Sequence, residues 1–134
     1  MTLEIERRER ETITILDLRG RITVGEAAGL LRATLAELCG GGVSNVILNL
    51  EHVDSIDSTG LGALVVSFTS LSKLGGRLKL ENLNRRNIEL MLFTKLTTVF
   101  EIFNDEQDAV NSFFPGREIK RFDILSFVQE QAVE

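Results

Sequence analysis

The stretch that most constrains this chain is NVILNL, residues 45 to 50. A nearly unbroken apolar run of strand length has no polar face to offer water. Such strands are covered on both sides, as in parallel sheets. Parallel neighbours cannot be joined by tight turns, so each pairing demands a crossover, usually a helix. The remainder of the chain should therefore alternate strand and helix patterns.

It does. Residues 3 to 9, LEIERRE, set Leu3 and Ile5 against Glu4 and Glu6, which reads as a half-exposed edge strand. Residues 12 to 19, TITILDLR, are rich in β-branched side chains and read as a second strand. The join around Arg10 and Glu11 contains no Gly, Asn or Pro, so the hairpin is inferred from its strands and not from a turn signal. A helix follows from about Glu26 to Cys39, with Ala27, Leu31, Leu35 and Leu38 on one face, stopped by Gly40, Gly41 and Gly42. This triple glycine follows a helix and precedes a strand, the reverse of a phosphate-cradling loop. After the central strand, residues 51 to 57 read as a loop, then a helix runs to about Leu74 with Leu61, Leu64, Val65, Phe68 and Leu71 as its buried stripe. RLKLENL, 77 to 83, alternates Leu78 and Leu80 with charge and reads as a strand. Asn84 is placed to cap a helix carrying Ile88, Met91 and Leu92, and VFEIF, 99 to 103, reads as a fifth strand. Asn104 or Asp105 caps a last helix through Ala109, Val110 and Phe113, with Gln107 set for a capping box behind Asn104. Pro115 and Gly116 close it.

The expected fold is a single α/β domain: a mixed β-sheet with surrounding helices, in the order β-β-α-β-α-β-α-β-α. It occupies residues 1 to 115, followed by a C-terminal extension, 116 to 134, read as helical. Phe122, Leu125 and Val128 share one face of that extension, which docks either on the domain or on a second copy, making a homodimer.

Bulk properties remove several function classes. A net charge of −5, from 20 acidic and 15 basic residues, opposes nucleic-acid binding, which draws on phosphate neutralisation. There is no Trp or Tyr, and the eight Phe read as core, so no base-stacking platform is expected. Cys39 is the single cysteine, which fits a reducing cytoplasm; on its Leu-rich helix it reads as a buried, inert thiol. No apolar stretch is long enough to span a membrane, and the charged start MTLEIERRER is unlike a signal peptide, so a cytoplasmic location is expected.

The chemistry of the chain concentrates in EHVDSIDSTGLGAL, from Glu51. His52 is the sole histidine, and DSTGLG lacks the G-x-S-x-G of a nucleophile elbow, so a hydrolase has no credible base. Glu51, Asp54 and Asp57 lack the spacing of a calcium loop and read as a solvated loop plus a helix cap, so neither metal nor other cofactor is expected. Ser58 could be the N-cap of the following helix; Asp57 could serve equally and also complements the helix dipole. Neither reading needs Asp57, Ser58 and Thr59 together. Gly60 and Gly62 each cost a helix about 1 kcal/mol relative to Ala. They are read as clearing space beside Ser58 for a partner's surface.

VILNLEHVDSIDSTGLGAL resembles the signature of STAS domains, specifically bacterial anti-sigma factor antagonists, in which a buried strand and short loop lead into Asp-Ser-Ser/Thr-Gly-Leu-Gly at a helix start. The resemblance runs from about Leu3 to Phe113 and takes in LRGRI, GGRLKL and TKLTTVFEIFNDEQDAV. It implies a protein-binding switch that is not an enzyme. When unphosphorylated, such a protein sequesters an anti-sigma factor that is also a serine kinase, and so frees a sigma factor. The kinase phosphorylates the serine after the motif's aspartate, here Ser58, and a metal-dependent serine phosphatase reverses it. Asp57, Ser58, Thr59, Gly60 and Gly62 would form the partner-binding site. Thr23 stands where relatives often carry Asp, Asn49 where many carry Asp, and the tail after Pro115 has no counterpart. A STAS scaffold, or a subunit of a sensory or transport complex, with Ser58 only capping the helix, is the alternative. Ser55 also follows an aspartate, but it lies in the loop, so the expected phosphorylation site is Ser58.

Overall fold

The computed structural model describes residues 3–133. Five strands form one sheet in the order β1-β2-β3-β4-β5. β1 (Glu4–Arg10) pairs antiparallel with β2 (Ile13–Ile22), and β3 (Asn45–Ile56), β4 (Arg77–Glu81) and β5 (Ile102–Phe103) continue in parallel. NVILNL is thus the start of the central strand, with Val46, Ile47, Leu48 and Leu50 all fully buried. The β1–β2 turn is made by Glu11 and Thr12, at φ 51° and 72°. A two-residue hairpin needs positive φ at both positions, which normally selects Asn or Gly. Here the in-register ladder from Glu4↔Arg19 to Arg10↔Ile13 offsets the local cost, which is why no turn signal was legible.

α1 (Glu26–Gly40) and α2 (Ser58–Lys73) pack against one another, with Leu31, Leu35, Leu64 and Leu71 in the main core. Leu48 and Leu64 are fully buried, but Leu61, Val65 and Phe68 are only half-buried. The face that meets the core runs instead through Gly60, Ala63, Leu64, Ser67 and Leu71, because small residues let this helix approach the sheet closely. Cys39 is likewise half-buried, and not the fully buried thiol expected. α3 (Arg85–Phe93) starts as expected at Asn84, whose side chain accepts from Asn87 N at 2.8 Å.

Three expectations need correction near the C-terminal part of the sheet. The fifth strand is only Ile102–Phe103, because Leu96–Thr98 forms a 3₁₀ turn just before it. α4 (Glu106–Asn111) begins at Asp105 with no side-chain cap, and Gln107 bonds Asn111 and Arg10, so there is no capping box. Lys79 and Glu81, read as the solvent side of β4, are buried, because α4 and Phe113 cover that face of the sheet with Ile13, Ile15, Ile47 and Phe103. The tail forms α5 (Ile124–Val133), which packs on α3 with Phe122, Phe127 and Val128 turned toward the core and Leu125 exposed.

The second face carries a polar row. Asp17, Asn49 and Glu81 are neighbours in register across β2, β3 and β4. Asn49 donates to Asp17 at 2.8 Å, which an aspartate there would do only if protonated. Arg8 pairs with Asp17 at 2.7 Å and with Glu106. Glu81 is fully buried, and as a carboxylate its oxygens would have no donor among the described residues. Burial, and then the hydrogen bond that the protonated group gives to Glu106, push this carboxyl up to about 9. A carboxyl raised above its unfolded value favours the fold below that value and loses the benefit as pH climbs toward the folded value. Glu106, held at about 2 chiefly by Arg8, works in the opposite sense and only at acid pH. Glu81→Gln removes the first titration. Its stability relative to wild type should therefore shift in the variant's favour by about 2 kcal/mol or more between pH 5 and pH 8. Urea denaturation at the two pH values checks this, and an unchanged difference would mean that Glu81 is charged in the fold.

Candidate partner-binding site

The segment expected to be a loop is strand. β3 continues to Ile56, pairing Arg19↔His52, Gly20↔Val53, Arg21↔Ser55 and Ile22↔Ile56, with register shifts on the way. His52 is therefore an exposed strand residue, Ile56 is buried, and Ser55 is half-buried within the ladder. Asp54 forms a solvent-exposed ion pair with Arg21 at 3.6 Å, and among the described residues no acidic cluster could hold a metal.

The N-cap of α2 is Asp57, not Ser58. Its Oδ1 accepts from Gly60 N at 2.8 Å and its Oδ2 from Val24 N at 2.9 Å, while its own N–H donates to Ile22 O at 3.2 Å. The hydrogen bonds from Gly60, then Val24, hold the carboxyl below the usual aspartate range, so it is ionised at neutral pH. One side chain thus clamps the start of α2 to the turn after β2. Ser58 is the first residue of the helix, exposed, and among the described residues its hydroxyl has no partner. Thr59 and Gly62 are also exposed.

Gly60 has a different role from the one its sequence suggested. It is buried, and a Cβ on it would lie 2.0 Å from Ile22 O. The glycine is required by backbone packing against β2. Gly62, in contrast, faces open space. Sequence reasoning missed Val24, whose N–H the Asp57 clamp ties to the start of α2 and whose side chain is 71% exposed. Its only signal was an apolar residue in a polar turn, GRITVGE.

The site so assembled presents an exposed serine hydroxyl at a helix start, next to an ionised aspartate that also holds the backbone of an exposed valine. His52 is on the strand, and both Asp57 oxygens accept backbone N–H groups. Among the described residues no helix is long and apolar enough to cross a membrane.

Comparisons with known proteins agree with the fold. The chain is 35% identical to the anti-sigma-B factor antagonist of Bacillus subtilis over 110 residues, 82% of this chain and 99% of that protein. It superposes on the crystal structure of an anti-sigma factor antagonist from Mycobacterium paratuberculosis with a TM-score of 0.74, at 15% identity, covering 83% of this chain and 93% of that one. The structure of the anti-sigma factor antagonist SpoIIAA in its unphosphorylated form gives a TM-score of 0.62 at 20% identity, covering 85% and 99%. The STAS domain family model matches residues 4–109, and with the five-stranded mixed sheet and the Asp57-capped helix already in place, the chain belongs to the STAS domain family.

Proposed function

We propose that this protein is an anti-sigma factor antagonist, a cytoplasmic binding protein that works through one surface and not through catalysis. Unphosphorylated, it binds an anti-sigma factor that is also a serine kinase, and so releases a sigma factor. The kinase modifies Ser58 and a serine phosphatase restores it. The observation that carries this reading is the state of Ser58: exposed, unpartnered, and fixed at the first turn of α2 by the Asp57 clamp. The 35% identity to the Bacillus subtilis antagonist supports it. Asp57, Ser58, Thr59, Gly62 and Val24 form the contact, and Gly60 holds it in shape.

A phosphate on Ser58 adds about −1.5 to −2 charges. It would sit where helix N–H groups and the dipole favour an anion, so α2 stays folded. The same phosphate lies next to the ionised Asp57 and faces outward. The switch therefore works by charge and bulk at the partner's surface. Ser55 lacks this setting: it is half-buried within the β2–β3 ladder, with Asp54 beside it. Incubation with the host's anti-sigma kinase and ATP, followed by peptide mass mapping, should place the phosphate on Ser58 alone. Phosphate on Ser55, or undiminished in Ser58→Ala, would overturn the assignment. A wild type that gains no phosphate, or a complex that survives phosphorylation of Ser58 unchanged, would favour the alternative of a constitutive STAS scaffold.

A further inference from the structure

Phe93, the last residue of α3, is 88% exposed, more than any other large apolar side chain described. It borders a groove of about 450 Å³, lined by Ser55 and Ile56 of β3 and by Arg86, Asn87, Glu89, Leu90 and Phe93 of α3, with Glu89 paired to Arg85 at 2.8 Å. The groove is not simply apolar. Asn87 is 1% exposed; its Nδ2 donates to Val53 O at 3.0 Å, but its Oδ1 has no partner among the described residues. Arg86 is exposed and makes no ion pair or hydrogen bond among the described residues.

The groove is also fixed relative to Ser58. Asn84 donates to Val53 O at 3.2 Å and to Asp54 O at 3.3 Å, and with Asn87 it fastens α3 to the end of β3. That same strand end leads through Asp57 into Ser58. A molecule that covers Ser58 and extends across the strand end therefore reaches the groove without any movement of the protein. Charge on this surface is mixed: Asp57 at the helix start, and Arg86 beside the Arg85-paired Glu89 at the groove.

We propose that the groove between the end of β3 and α3 is a second anchor for the protein partner that engages Ser58: it takes an apolar side chain of the partner against Phe93, Leu90 and Ile56 and a carboxylate on Arg86. This rests on the reading of Ser58 given above and names what the partner must present. A buried aromatic with a paired arginine is the composition of an interface hot spot.

The test uses the full chain and the host's anti-sigma kinase, with binding measured by calorimetry and Ser58 phosphorylation followed in parallel. Phe93→Ala should weaken binding about 30-fold and Arg86→Glu about tenfold, the losses typical of anchor residues. Leu74→Ala, an equally simple truncation of an exposed side chain at the far end of α2, should bind as wild type does. Hydrogen exchange should show new protection over residues 85–93 in the complex. Phe93 lies on the surface, so its truncation should leave melting unchanged. Wild-type binding by Phe93→Ala, or no protection of α3, would overturn the anchor while leaving the Ser58 reading in place. Failure of wild type itself to bind or be phosphorylated would overturn both. A wild-type homodimer that Phe93→Ala converts to monomer would assign the groove to a second copy, and so would also overturn the proposal.

Discussion

Gly60→Ala is expected to destabilise the protein by about 3 kcal/mol, whereas Gly62→Ala, two residues on, should stabilise it by up to about 1 kcal/mol. The two glycines look alike in the sequence, and helix propensity treats them alike. Their surroundings do not. At Gly60 a methyl group would lie 2.0 Å from Ile22 O and 2.9 Å from its carbonyl carbon, so either α2 or the end of β2 must shift. Backbone does not yield as a flexible side chain does. Ile22 O also accepts the N–H of Asp57, so the displacement would loosen the clamp that holds Ser58. Gly60→Ala should therefore lose partner binding beyond what its unfolded fraction explains. At Gly62 the methyl meets nothing within 4 Å, and only the gain in helix propensity remains. Urea denaturation of both variants measures the difference. Equal effects would mean that the helix adjusts freely and that Gly60 has no packing role. If Gly62→Ala is more stable and yet binds the anti-sigma partner poorly, the open space above it is used by that partner.

Ser58→Asp should abolish most of the affinity for the anti-sigma partner, by at least about 100-fold, with a stability change under about 1 kcal/mol. The residue is exposed at the first turn of α2, where a carboxylate is compatible with the helix dipole and nothing is displaced. Its charge adds to that of Asp57 at the proposed contact surface. Calorimetric titration against the partner, paired with thermal melts, separates the two effects. A large loss of stability with unchanged binding would reject a switch that acts outward.

The sequence alone was enough for the layered fold and for the helix start that carries the candidate site. NVILNL could only be a strand covered on both faces, and the strand and helix patterns around it left a mixed sheet with crossovers. DSTGLG marked the helix start, because a polar run switching into helical spacing is a local signal. What the sequence could not hold was anything decided by distant neighbours. Whether Asp57 or Ser58 caps α2 depends on Val24 N and Ile22 O, which reach the site only through β2. Residues 51–56 look like a loop because their polarity is local, yet pairing with Arg19, Gly20, Arg21 and Ile22 supplies the hydrogen bonds that make them strand. Lys79 and Glu81 read as solvent-facing because alternation reports only that one face is apolar, and it took α4 to cover the other. Gly60 is the sharpest case. Its neighbours in the chain say only that it weakens a helix; the 2.0 Å between its absent side chain and Ile22 O says why nothing larger fits.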